Sequence, residues 1–420
     1  MQRYCRTAWM VLILLLAGCR LPFSNPGKEI CPGLAIGVLI GEDTDPIAQE
    51  QRNGYELALE EINQQGGPGG CQLSLVYQPE SLAGSPNQIQ KAVRSLVEEQ
   101  NAVAILGATG NPASMYAASL VNYFSIPMLI PSAEGLHILP EDNHWAFRLS
   151  ASDDAYTRGA FDMVKQELGA GQKVVILFED STAGHDIAVS AVSAITQAEM
   201  ELSGYFSYSP EGVELEKLVE QIQAAQPDVL YLYFSQPDQV RVVLQAFRDA
   251  QAQMPLMTIA HAGGFVSRSI LFAEAGSADP LVENLILATP WNLDPASSQT
   301  AAFLHAFQAR YGQTASAGVY TAAAYQSLLA LADALGKDLA VANVVSGNVE
   351  LLRSTLQQNL MAYQGETLLW GKVAFTSSGQ NQPAIELVQI VDGSPVVVYP
   401  AGESVQRPVI DLGGVGQDKE

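Results

Sequence analysis

The sequence predicts an α/β protein made of two parallel, doubly wound units. Three observations predict it. Short aliphatic runs alternate with amphipathic stretches, which is the grammar of β-α-β repeats. The alternation restarts after Phe147-Arg148-Leu149 with a second unit of similar size. The length, 420 residues, suits two or three domains at roughly 100–200 residues each.

In the first unit, residues 35–40 read as a buried strand, and Tyr55, Ala58, Leu59 and Ile62 recur at helical spacing within 54–63. Gly66-Gly67-Pro68-Gly69-Gly70 stops that helix and turns the chain. A strand at 73–77 follows, then a helix starting near Asn87 with Ile89, Val93, Leu96 and Val97 on its inner face. A strand at 103–106, a helix at 113–123 and a strand at 127–130 complete the unit. In the second unit, helices at 154–168, 186–198, 214–224 and 240–250 alternate with strands at 174–178, 202–208, 229–234 and 256–260. Beyond a strand at 285–288 the alternation breaks into helices at 300–311, 321–335 and 349–359, then strands at 372–375, 385–391 and 396–399. The late helices have no sheet of their own, so they must pack on an earlier unit, and the chain must cross between lobes more than once.

Composition narrows the function. Lys and Arg number 21 against 44 Asp and Glu, a net charge of -23. No basic stripe exists to neutralise phosphates, which excludes nucleic-acid binding, and none to dock on anionic lipid. Charged residues are only 15% and apolar ones 48%, which is enough for a sizeable core and excludes wholesale disorder.

The first 18 residues read as a signal peptide: Arg3 and Arg6 precede an apolar run, 9–17, that is too short to span a bilayer. Its end, Leu16-Ala17-Gly18-Cys19, resembles the lipobox of bacterial lipoproteins, which implies lipid on Cys19 and a tether over 19–33. Cys31 and Cys71 remain, each just before a strand. If those strands are parallel neighbours the pair can bridge, as an exported chain favours; the alternative is two buried thiols.

From Ile36 to Tyr399 the chain resembles the leucine/isoleucine/valine-type (type I) periplasmic substrate-binding proteins of ABC transporters, in lipoprotein form. The segments that carry this are Ile36-Gly37-Val38-Leu39, Asn53-Gly54-Tyr55-Glu56-Leu57-Ala58, Glu61-Ile62-Asn63-Gln64-Gln65-Gly66-Gly67, Ala104-Ile105-Leu106-Gly107, Ile126-Pro127-Met128-Leu129-Ile130-Pro131-Ser132-Ala133 and Gln226-Pro227-Asp228-Val229-Leu230. The resemblance implies two Rossmann-like lobes joined by three interlobe crossovers, with solute held in the cleft between them. It places 34–147 plus 291–365 in the N-terminal lobe, 148–290 plus 366–400 in the C-terminal lobe, and leaves 401–420 as a tail.

Ligands of open parallel sheets sit beyond the strand carboxyl ends. After strand 103–106 come Thr109 and Asn111, in a loop that offers backbone N–H groups to an anion, with Asn111 as ligand contact, helix N-cap or both. After strand 127–130 come Ser132, Ala133 and Glu134, matching the loop that in amino-acid-binding relatives holds the ligand's carboxylate and ammonium. Glu134 stands where a hydroxyl residue is usual, so it either holds a cationic or polyhydroxylated ligand or faces solvent. Thr182 lies where the family often has an aromatic, and His261 and Ala262 lie where an acid often binds the ligand ammonium. Tyr156, in the step from loop to helix, is the better aromatic candidate to line the cleft, ahead of Trp291. These departures weaken a standard α-amino-acid reading.

No Walker loop, HExxH helix or G-x-S-x-G elbow appears, and the five His are dispersed, so neither an enzyme nor a cofactor or metal is expected. The expected partners are a small solute, an ABC permease, and the membrane through the N-terminal lipid only. A solute sensor, or an envelope scaffold with a vestigial cleft, would use the same lobes.

Overall fold

The computed structural model describes residues 31–80, 85–209, 215–234, 237–250, 255–261, 280–289, 298–315, 317–337, 339, 344, 347–400 and 407–410. The signal segment, Cys19, most of the tether, Ala262 and Trp291 lie outside them. Strands β1 (Leu34–Ile40), β2 (Leu73–Pro79), β3 (Ala104–Leu106), β4 (Met128–Ile130) and β5 (Ala146–Arg148) form a parallel sheet in the order β2-β1-β3-β4-β5. The run at 147–149, read from sequence as the opening of the second lobe, begins within the fifth strand of the first, Ala146–Arg148.

Both faces of this sheet are covered, so neighbouring residues of one strand enter different cores. Ile36, Val38 and Ile40 share a core with Tyr55 and Ala58 of α1 (Pro46–Gln64), while Leu39 and Ile105 meet Ile89 of α2 (Pro86–Arg94) and Ala117 of α3 (Asn111–Phe124). Helix α1 begins earlier than its apolar spacing suggests, because Asp45 caps it through the N–H of Ile47 at 3.0 Å and Pro46 follows as a residue with no N–H to orphan. Cys31 and Cys71 are joined, their Cα atoms 5.1 Å apart across 40 residues, next to the paired amino ends of β1 and β2.

The second lobe begins with α4 (Asp153–Leu168). It continues β6 (Lys173–Glu179), α5 (Thr182–Gln197), β7 (Glu201–Tyr208), α6 (Leu215–Ala224), β8 (Val229–Tyr233), α7 (Pro237–Asp249), β9 (Met257–His261) and β10 (Ile286–Thr289). Helices α8 (Ser298–Tyr311), α9 (Val319–Gly336) and α10 (Val349–Met361) then return to the first lobe, where Phe303, Leu328 and Leu356 enter the same core as β1. The hairpin of β11 (Gln364–Thr367) and β12 (Gly371–Ala374) stays there too. Its 366–374 portion was expected in the C-terminal lobe, but Leu369, Trp370 and Val373 are buried in the first-lobe core. Finally β13 (Glu386–Val391) and β14 (Ser394–Tyr399) complete a second sheet, β14-β13-β10-β9-β8-β6-β7, antiparallel only where β13 and β14 join it. Part of the expected tail is docked on this sheet: buried Gln389 exchanges two hydrogen bonds with the backbone of Val409, at 2.7 and 2.8 Å.

Two crossovers run side by side. The N–H of Arg148 donates to Gly379 O and that of Asn381 to Arg148 O, each at 2.9 Å. Side chains lash the same strands: Asn381 donates to Leu149 O and Gln380 to Ser150 O, both at 2.9 Å. The link from β10 to α8 lies outside the described residues.

Helices α1 and α9 meet closely at Gly54, where an added Cβ would lie 2.1 Å from the carbonyl oxygen of Thr321 in α9. Overpacking of this kind costs about 1–3 kcal/mol. Gly54→Ala is therefore expected to lower the unfolding free energy by that amount, read as a lower urea midpoint with the far-UV spectrum unchanged; an unaltered midpoint would refute this packing.

Candidate functional site

A sheet ordered 2-1-3-4-5 leaves a crevice beyond the carboxyl ends of its first and third strands. Both sheets have this order, at β1/β3 in one lobe and β6/β8 in the other. In the first lobe the crevice holds an internal carboxylate. Glu80 follows β2, and its own N–H donates to Ile40 O at 2.8 Å. Its side chain accepts from the N–H of Thr109 at 2.8 and 3.1 Å and from that of Gly110 at 3.4 Å. Burial pushes this carboxyl up to about 7, against the N–H donors that favour its charged form. The loop expected to offer those donors to a ligand offers them to Glu80.

The hydroxyls beside it are engaged as well. Thr109 donates to Gln51 Oε1 at 2.6 Å, and the Gln51 amide reaches Ser132 Oγ at 3.5 Å. All three residues are buried. Asn111 is not the helix cap: Gly110 holds that position, and the Asn111 carboxamide accepts from the N–H of Glu134 at 3.0 Å. Ala133 is core, its carbonyl taking the Ser150 hydroxyl at 2.7 Å.

Glu134 itself is turned inward, not toward solvent, at 4% exposure. Its backbone carbonyl accepts from the N–H of Asp153, the first residue of α4, at 2.8 Å. Its carboxylate takes the Tyr156 hydroxyl. Ser152 caps α4 through Ala155 N and so fixes the turn that presents Asp153 and Tyr156. His261, at the end of β9, is buried; its Nε2 is 3.2 Å from Asp153 Oδ1 and its Nδ1 is 2.7 Å from the Tyr231 hydroxyl. Tyr231 meets Thr157 at 2.9 Å, and Thr157 donates to Asp153 O at 2.8 Å. The rings of Tyr156, Tyr231 and Tyr233 stand around the imidazole at 5.7, 6.2 and 5.2 Å.

The charges converge. Burial raises the Tyr156 hydroxyl far above its usual range, and Glu134 and Asp153 add to it; Tyr233 is raised by burial, then by Asp153, Glu179 and Glu134. Arg148 is the cation nearby, lowered to about 10 by burial and held up by Asp153 and Glu134. Its Nε and Nη1 donate to Gln380 Oε1 and Gly135 O, both at 2.5 Å. Thr182 is exposed at the first turn of α5; its neighbour Ser181 is the engaged residue, capping that helix and donating to Glu179 at 2.6 Å. Among the described residues no three of His, Cys, Asp or Glu gather to hold a metal.

Glu80, Gln51, Asp153, Tyr231 and Tyr233 are site residues that sequence reasoning missed. For Glu80 a signal exists, an acid directly after a strand's carboxyl end. For Gln51, inside an amphipathic helix, none does.

Two lobes of this topology, with polar groups meeting where their strand ends face each other, define a clamshell binding protein rather than an enzyme. The periplasmic binding protein family matches residues 35–395, and the chain belongs to it. That membership makes it an exported protein that binds small solutes outside the cytoplasm. It is 23% identical over 377 residues to Leu/Ile/Val-binding protein homolog 7 of Brucella abortus, covering 86% of this chain and 89% of that one. Its fold is similar to an ABC transporter substrate-binding protein from Desulfitobacterium hafniense in complex with Leu (TM-score 0.70, 21% identity, 87% of this chain and 99% of that chain). It is also similar to a solute-binding protein from R. palustris in complex with benzoate (TM-score 0.68, 18% identity, 89% and 99%).

Glu80 gives a pH signature of known sign. Its carboxyl rises from the ordinary 4.5 to about 7 on folding, so its contribution to stability is fully present below 4.5 and lost as pH rises through 7. Relative to Glu80→Gln, the native protein should lose up to ~3 kcal/mol across that window, at 1.36 kcal/mol per unit. Parallel stability–pH curves for the two proteins would contradict the burial of this acid.

Proposed function

We propose that this chain is a lipid-anchored receptor on the outer face of a bacterial membrane that closes its cleft on a small polar solute, amino-acid-like, amide or related, and delivers it to an ABC permease. One observation carries the reading: Glu134 of the first lobe meets Asp153 and Tyr156 of the second, next to two lashed crossovers. Polar groups from both halves beside the interlobe crossovers are what closure over a ligand requires. The leucine- and benzoate-bound relatives support a small organic solute. Glu134 and His261, with the occupied N–H donors of Thr109 and Gly110, argue against leucine as that solute. The anchor at Cys19 is supported by the basic start, short apolar run and Leu16-Ala17-Gly18-Cys19 ending. ABC delivery is supported by the family and by the transporter context of the similar structures.

Expressed in a bacterium, the native chain is expected in the membrane fraction and its Cys19→Ser form in the soluble one. Native mass spectrometry of that soluble form should reveal one retained small molecule per chain. A bare chain that no amino acid, amide, amine, sugar or aromatic acid stabilises against heat would sink the receptor reading; at 100 times its dissociation constant a ligand stabilises by ~2.7 kcal/mol.

A further inference from the structure

We propose that the solute is an organic cation, an alkylammonium or guanidinium compound, and that Glu80 is the residue that turns carboxylate solutes away. This rests on the solute-binding reading above and names its substrate class.

The first observation is the occupied anion cradle. Backbone N–H groups at the start of a helix, beyond a parallel strand, are what such a lobe has to offer a carboxylate. Those of Thr109 and Gly110 are taken by Glu80, which is 3% exposed. An incoming carboxylate would have to expel this side chain to reach those donors, or go without them.

The second observation is independent and lies across the lobe boundary. Asp153 Oδ1 is sealed from solvent and accepts no hydrogen bond; His261 Nε2, 3.2 Å away, is misaligned for one. Buried carboxylate oxygens are ordinarily filled by hydrogen bonds, so an unfilled acceptor in this position favours a donor that comes to meet it. Glu134 acts on the same tyrosine, Tyr156, so the two acids share one space. The nearby guanidinium of Arg148 spends its Nε and Nη1 on Gln380 and on a backbone carbonyl. A cation entering between the lobes would meet Asp153 and Glu134 with tyrosine rings beside them, which adds a cation–π contribution. The net charge of -23 also draws cations toward the chain at low salt.

Calorimetry on the soluble Cys19→Ser form, stripped of retained solute by unfolding and refolding, tests this with putrescine and agmatine against leucine and benzoate. The expected result is binding of at least one of the two cations, with leucine and benzoate at least about tenfold weaker, as loss of a charged hydrogen bond implies. Glu134→Gln should weaken the cation by about tenfold or more. Glu80→Ala should gain affinity for leucine or benzoate, and Glu80→Gln, which keeps the side chain's shape, checks the charge alone if the alanine form does not fold. Leucine or benzoate binding without cation binding overturns this inference and leaves the receptor reading standing. Binding of calcium or zinc with no organic cation also overturns it. Failure of every compound of both classes sinks the two together.

Discussion

The structure depends on a strip of paired backbone where Arg148-Leu149-Ser150 runs beside Gly379-Gln380-Asn381. Chain leaving a sheet for another lobe carries N–H and C=O groups that no ladder satisfies. Here the two crossovers satisfy each other, and the carboxamides of Gln380 and Asn381 take up the carbonyls that remain. Because the strip is bonded, it fixes where α4 begins relative to β4. That is why Asp153 can donate to Glu134 and why Tyr156 reaches its carboxylate. Arg148 sits on the same strip, a buried cation within the field of both acids. The proposed hinge and the candidate site therefore share one strip, so a change of lobe angle would move acids and tyrosines together.

The crevice chemistry follows from what is already paired. Thr109, Gln51 and Ser132 hold one another, and Glu80 holds the donors of the loop after β3. On the other lobe, Tyr231 and Thr157 complete a chain of hydrogen bonds back to the backbone of Asp153. The acids that face each other across the boundary are left to define the character of the cleft. In the reading proposed above, those two acids are what would make the cleft favour a cation.

Much of the architecture was legible in residue order. Alternating aliphatic runs and amphipathic stretches located both sheets, and the restart after Leu149 located the second lobe. Helix starts were less legible, since caps such as Asp45 and Ser181 precede the apolar spacing that reveals the helix. The short run at 147–149 reads as opening the second lobe and not as a strand of the first, because three residues carry no period. Leu369 and Trp370 were assigned to the wrong lobe, since an apolar hairpin beside a crossover suits either core until the lobes are seen. Among the candidate residues, Glu134, Tyr156 and His261 were picked by their position beyond strand ends and at a helix start, which is a rule of topology, and the structure brings them close together. Asn111 illustrates its limit, for a carboxamide that caps a helix and one that spans to a neighbouring loop look alike in sequence. Glu80 and Asp153 show the same limit from the other side, since which group a buried acid meets depends on packing between distant segments, Glu80 with Thr109 and Asp153 with His261.

The central claim is that the two lobes close as rigid bodies about the lashed strip when solute enters. Spin labels at Tyr123→Cys on α3 and Val189→Cys on α5, both well exposed at 80% and 66%, report on one lobe each. Pulsed electron resonance with and without the solute that co-purifies should give two distinct distance distributions, the bound one narrower. Identical distributions in protein shown by calorimetry to be saturated would contradict closure.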